Sequence, residues 1–187
     1  IRQDWLDELG LDTPVTVDDY HDVLTAFKSN YNITDPFMLS ANLASNLSYA
    51  FGSGNFNVDD ASNLSFYLED GKVVCCFTSD NYKEYIATLA QWFKEGLIGG
   101  DFFNRPSEMA DSANTSVILG GQAGIWTTVM NNLEDYPKQA ADPNFACAAL
   151  ADALGNDGKK LTFYDDDPGS AGNASISADS DNWELAL

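Results

Sequence analysis

Residues 64–96 read LSFYLEDGKVVCCFTSDNYKEYIATLAQWFKEG, and the change of hydrophobic period inside this stretch decides the fold class. Leu64–Leu68 and Val73–Thr78 are strand-like runs joined by Glu69-Asp70-Gly71-Lys72. An Asp-Gly pair supplies the positive φ angles that a tight hairpin turn demands. From Asn81 the apolar positions Tyr82, Tyr85, Ile86, Leu89, Trp92 and Phe93 switch to helical spacing, with Asn81 and Glu84 expected to cap the start and Gly96 to close the end. A hairpin that feeds an amphipathic helix belongs to an α/β chain.

The alternation continues on both sides. Upstream, Ile1–Leu9 reads as a short helix with Trp5, Leu6 and Leu9 on one face and Gly10 as its left-handed stop. Thr16 with Asp19 opens a second helix carrying Tyr20, Val23, Leu24 and Phe27 to about Lys28. Phe37-Met38-Leu39 is a short buried strand, and the middle of Ser40–Gly54 reads as a helix that stops at glycine. Downstream, the apolar runs Val117–Leu119 and Ala123–Trp126 flank Gly120-Gly121-Gln122, a tight turn leading into a buried strand. A helix from about Thr128 to Lys138 follows. Phe145–Leu150 and Leu161–Tyr164 read as further strands around the polar turn Asn156-Asp157-Gly158. Neither a fixed-period repeat nor a flexible linker interrupts the pattern, so one α/β domain with a mixed sheet spans 1–187.

Composition bounds the partners. The 187 residues carry 29 acids against 9 bases, a formal charge of -20, with the acids scattered along the chain. Such a surface repels phosphate, which argues against nucleic acid and anionic lipid as partners. The longest apolar run, Val73–Phe77, is strand-sized, far below the roughly 20 residues that span a bilayer. There is no starting Met, and Ile1 and Leu187 both fall within helix-like segments, so the termini read as cuts in a longer polypeptide.

Catalytic and metal chemistry find little support. Cys75, Cys76 and Cys147 are odd in number and read as small apolar residues. His21 is the one histidine, so neither a metal site nor a nucleophile with its general base is assembled. Asp165-Asp166-Asp167 before Pro168-Gly169 reads as a solvated loop and not as a glycosidase pair. No phosphate-cradling glycine motif occurs. No enzyme, cofactor or metal is expected.

Four segments resemble the extracellular solute-binding proteins of carbohydrate ABC transporters, especially their Gram-positive lipoprotein branch. They are Ile1–Leu11 with Thr13–Asp19; Phe66–Val74 with Tyr82–Tyr85 and Trp92–Ile98; Gly120–Trp126; and Ser175–Ser180. The resemblance covers nearly the whole chain in the family's order, yet a whole receptor is about twice as long. It implies one lobe of a type II periplasmic-binding-protein-like receptor, a three-layer α/β/α unit of the C-terminal type, with 176–187 starting the crossover toward the missing lobe. It further implies a carbohydrate ligand, permease subunits as partners, an extracellular location, and a membrane lipid anchor carried outside this chain. Gln122 replaces the family's usual charged residue, and Ser29–Asp35 is too short for the Asp-rich calcium loop of some relatives, so calcium is not carried over.

Sugars offer apolar C–H faces and many hydroxyls, so an aromatic ring beside uncharged polar groups suits them. Trp126, at the end of the strand matching the family motif, is the first candidate for stacking; core packing is the competing reading. Thr127 either bonds a hydroxyl or caps the next helix, and residue preference favours the cap. Asn42 and Asn46 follow the Phe37–Leu39 strand, where open α/β sheets place ligand loops. Tyr49 and Phe51 supply either stacking surface or core. Two other readings remain: a receptor for oligopeptides or other small solutes, and a cell-surface adhesion or interaction domain.

Overall fold

A computed structural model describes residues 1–39, 45–53, 66–69, 71–105, 112–128, 130–151 and 153–158, with side chains at 45, 46, 66–69, 112 and 113 left out. Its elements in chain order are α1 (Gln3–Leu9), α2 (Val17–Tyr31), β1 (Asp35–Met38), α3 (Ser45–Ser48), β2 (Phe66–Glu69), β3 (Lys72–Cys75), α4 (Asp80–Lys94), α5 (Ser112–Leu119), β4 (Ala123–Trp126) and α6 (Asn132–Gln139). Local signals set most boundaries. The Thr16 hydroxyl accepts from the Asp19 N–H at 3.2 Å while the Asp19 carboxylate accepts from the Thr16 N–H at 2.8 Å, a closed capping box at the start of α2. Three helices end in the same way. Gly10, Gly96 and Gly121 sit at φ 64, 69 and 69, and the next residue's N–H reaches back five positions, as in Leu97 N–H to Trp92 O at 2.8 Å.

The central sheet is built on distant pairing. β1 and β4 run parallel in the register Asp35↔Ala123, Phe37↔Ile125 and Met38↔Trp126. Ile98 bridges the far side of Phe37 in parallel, Arg2 donates its N–H to Gly124 O at 2.9 Å, and Arg2 pairs antiparallel with Cys147. The ladder is therefore mixed, as expected, although its outer members are single bridges. Alternate side chains feed two cores. Phe37 and Ile125 join Trp5, Leu6, Leu24, Phe27 and Trp92, while Met38 and Trp126 join Ile118 of α5, Tyr136 of α6 and Phe145. Helices thus cover both faces, giving the three-layer α/β/α arrangement.

Connection lengths orient the helices. α2 leaves through Asn32 at φ 47 and packs back on β1 almost at once, so the two run antiparallel. α4 likewise ends just before Ile98, which pairs parallel with β1. The N-terminal ends of α2 and α4 accordingly lie at the edge where β1 and β4 finish.

The turn at Gly120-Gly121-Gln122 leads into the buried strand β4 as expected, and Val117–Leu119 before it is the last turn of α5. Several other expectations require correction. Among the described residues Phe145–Leu150 forms only the bridge at Cys147 and no strand. The cap of α4 is Ser79, whose hydroxyl accepts from the Tyr82 N–H at 3.1 Å, and not Asn81. β3 stops at Cys75, since Cys76–Thr78 turns into a short 3-10 segment. Cys76 is fully buried, whereas Cys75 and Cys147 are half-buried. α6 begins at Asn132, and the middle of Ser40–Gly54 resolves into the single turn α3 plus a 3-10 turn ended by Gly52 at φ 65. The expected strand Leu161–Tyr164 and the crossover 176–187 lie outside the described residues.

Candidate functional site

The finishing edge of the parallel pair carries a cavity of about 250 Å³ lined by Ile1, Phe37, Ile125, Trp126, Thr127, Thr128, Met130, Leu133 and Ala148–Leu150. Open α/β sheets bind ligands outside the carboxyl ends of their strands, because there the loops diverge and leave a crevice. Trp126 occupies the last position of β4 and is 8% exposed. Its ring lies 6.4 Å from Tyr136 and 6.3 Å from Phe145, so it is at once a member of the smaller core and a wall of the cavity. Thr127, half-buried, follows it onto the rim.

Thr127 does not cap the next helix: Asn131 occupies the position before α6 and makes no side-chain cap bond. The neighbouring Thr128 organises this corner instead. Asn132 Nδ2 donates to Thr128 Oγ1 at 2.7 Å and to Tyr136 Oη at 2.9 Å, and the two hydroxyls are 3.3 Å apart. These three side chains were missed in the sequence, although their spacing of four along a helix was a usable signal. They tie the exit of β4 to the first turns of α6, which fixes the wall that Trp126 forms.

Among the described lining residues no side chain is ionisable. Cys147 lies beside the lining residue Leu133, its Sγ donating to Leu133 O at 3.6 Å. Burial raises its thiol above the ordinary range, so it stays protonated and unreactive. The site can therefore offer an aromatic face, aliphatic walls and neutral hydroxyls, and no charge.

The remaining candidates scatter. Phe51 is half-buried, 5.5 Å from the Tyr85 ring, and lines a different cleft. Tyr49 is half-buried in the 3-10 turn. Asn46 lies on α3 with its side chain outside the description, and Asn42 falls outside the described residues. Among the described residues no group of three or more His, Cys, Asp or Glu side chains gathers as a metal site, and no helix is long and apolar enough to cross a membrane.

Comparison with known proteins yields a consistent set. No family model matches the chain. It is 30% identical over 180 residues to the lipoprotein LipO of Bacillus subtilis, an alignment covering 87% of this chain and 33% of LipO. It is 34% identical over 114 residues to the fructooligosaccharide ABC transporter substrate-binding protein FusA of Streptococcus pneumoniae, covering 55% of this chain and 20% of FusA. The solved structure of FusA with kestose superposes at a TM-score of 0.59 with 27% identity, over 86% of this chain and 32% of that one. The alginate-binding protein AlgQ2 shares the fold at a TM-score of 0.64 and 22% identity, over 86% of this chain and 33% of its own. The chain spans a third or less of the curated relatives it matches. The chain is thus similar in sequence to a stretch about a third the length of the lipoprotein LipO, and in fold to a stretch of like share in the ABC transporter substrate-binding protein FusA.

Proposed function

We propose that this chain is the contiguous part of one lobe of a solute-binding protein that captures uncharged oligosaccharides for an ABC importer. The observation that carries the reading is the cavity at the finishing edge of β1 and β4, where Trp126 meets Thr127 and Thr128 with no ionisable side chain among the described lining residues. A ring face and hydroxyls recognise a sugar's C–H surface and hydroxyls without charge. The relatives' names support the ligand class: FusA is a fructooligosaccharide protein, and a Bacillus licheniformis sugar transporter of similar fold was solved with stachyose. The likeness to LipO, a lipoprotein, supports an extracellular protein held at the membrane by a lipid outside these residues. In the whole receptor a second lobe closes the cleft, permease subunits receive the ligand, and no bond is made or broken.

The test is a panel of neutral glycans, uronates and peptides titrated against the whole polypeptide. Trp126→Ala, in a still-folded protein, is expected to weaken glycan binding by about tenfold, since stacking contributes roughly 0.5–1.5 kcal/mol on top of the apolar area that the ring buries. Binding to peptides alone, or unchanged affinity in the variant, would overturn the reading.

A further inference from the structure

A second cleft, of about 290 Å³, opens on the same edge between the N-terminal ends of α2 and α4 and the 155–157 turn. Its floor is Val17, Ala50 and the half-buried ring of Phe51; its rim is Asn81, Glu84, Asn156 and Asp157. Residues 148–157 link the two clefts, since Ala148–Leu150 line the Trp126 cavity and Gly155–Asp157 line this one. The described residues of this link are fastened at several points. Tyr20 Oη donates to Ala151 O at 3.2 Å, Val17 N–H to Leu154 O at 3.1 Å, and Leu154 N–H to Val15 O at 2.8 Å. Asn156 exchanges two bonds with Asp18, accepting its N–H at 3.0 Å and donating to its carboxylate at 2.8 Å, while Gly158 at φ 76 closes the turn. Asn81 Nδ2 donates to Gly52 O at 3.3 Å, holding the Phe51 segment against α4. The cleft is therefore preformed and not a gap between loose loops.

Its chemistry differs from that of the first cavity. Glu84 and Asp157 are exposed carboxylates that accept hydroxyl hydrogens, and such charge-assisted bonds are roughly twice as strong as neutral ones. Asn81 and Asn156 add carboxamides beside the Phe51 ring, and among the described lining residues none is basic. This combination suits an uncharged polyhydroxyl unit and repels a uronate or phosphate. The five steps from Leu150 to Gly155 span at most about 17 Å, so one oligosaccharide chain can reach from one cleft to the other. We infer that this cleft is a second saccharide subsite, holding an uncharged unit of the same oligosaccharide that stacks on Trp126. The assignment rests on the functional reading above and extends it to residues Glu84, Asn81 and Phe51.

Calorimetric titration of the whole polypeptide with kestose, stachyose and the longer members of each series tests it. Wild-type affinity is expected to rise with chain length. Glu84→Ala and Phe51→Leu, each matched to wild type by thermal unfolding, should lower affinity for the longest oligosaccharide by about tenfold while leaving the shortest one that binds unchanged. Trp126→Ala should weaken every length. Affinity independent of length in the wild type, or a Glu84→Ala loss that is absent or equal at all lengths, overturns the subsite and leaves the Trp126 reading standing. A wild type that binds no member of either series overturns both.

Discussion

Gly124 sits in the middle of β4 with ordinary negative-φ backbone, so alanine there meets no conformational strain and its effect is purely one of space. An added Cβ would lie 2.5 Å from Phe27 Cδ2, 3.3 Å from Phe27 Cε2 and 2.9 Å from Pro36 O. Carbon atoms are comfortable near 3.5–4.0 Å, so the ring would have to retreat by about 1 Å. It has nowhere to go: Phe27 is fully buried and meets the Trp5 ring edge-on at 5.2 Å. Pro36 O belongs to β1, the strand paired with β4, and yields no more easily. Overpacking of this kind costs about 1–3 kcal/mol, whereas replacing glycine by alanine gains only about 0.4–1 kcal/mol through the unfolded chain. The steric term wins. Gly124→Ala should therefore destabilise by about 1–2 kcal/mol, lowering the Tm by about 3–6 °C for a chain of this size. Urea unfolding followed by tryptophan fluorescence reads the change, and Phe27→Leu in the same chain should recover part of it through a coupling of about 0.5 kcal/mol or more. A Tm within about 1 °C of wild type, with additive single and double variants, would refute close packing of α2 on β4.

Arg2 is 1% exposed, its guanidinium 4.1 Å from the Trp5 ring centre and 4.3 Å from that of Phe145, with Nε and Nη2 bound to the two Asp4 oxygens at 2.8 and 2.5 Å. Lysine lacks the planar fork, so Arg2→Lys is expected to behave nearly as badly as Arg2→Ala, each costing about 3 kcal/mol in urea titrations; full retention by lysine would dismiss the stacked geometry. The Thr16 N–H holds the Asp19 carboxyl below its ordinary value, helped by the Thr16 hydroxyl's partner role and the Val15 N–H. A depressed folded-state value means stability that is present above about pH 4 and lost as the pH falls through it, so the gap between wild type and Asp19→Asn should close on acidification. A gap of constant size from neutral pH to about pH 2 would remove the capping role. On the proposed function the 187 residues supply one wall of a cleft, so calorimetry of this chain by itself should find no micromolar sugar affinity; such affinity would mean that the chain encloses its ligand unaided.

The elements legible in the sequence are those whose determinants lie within a few residues. The Thr16–Asp19 box, the stop at Gly10, the Asp70-Gly71 hairpin with Glu69 paired to Lys72, and the face of Tyr85 and Trp92 on α4 follow from short-range hydrogen bonding and period alone. The misread segments share a different cause. Gly120-Gly121-Gln122 was legible as a tight turn into β4, but the short apolar run Val117–Leu119 before it carries no period that tells helix from strand; it ends α5, with Ile118 in the cluster of Tyr136 and Phe145. Phe145–Leu150 has strand composition, yet among the described residues it forms one bridge only. The candidate site divides along the same line. Trp126 and Thr127 were visible as the end of an apolar run, while the partnership of Thr128, Asn132 and Tyr136, and the second cleft around Glu84 and Asn156, required the chain to be folded. Pairing Asp35 with Ala123 sets the edge at which β1 and β4 both finish. Local propensity carries no information about such distant registers, since they are chosen by burial of Phe37, Ile125, Met38 and Trp126 on two faces at once.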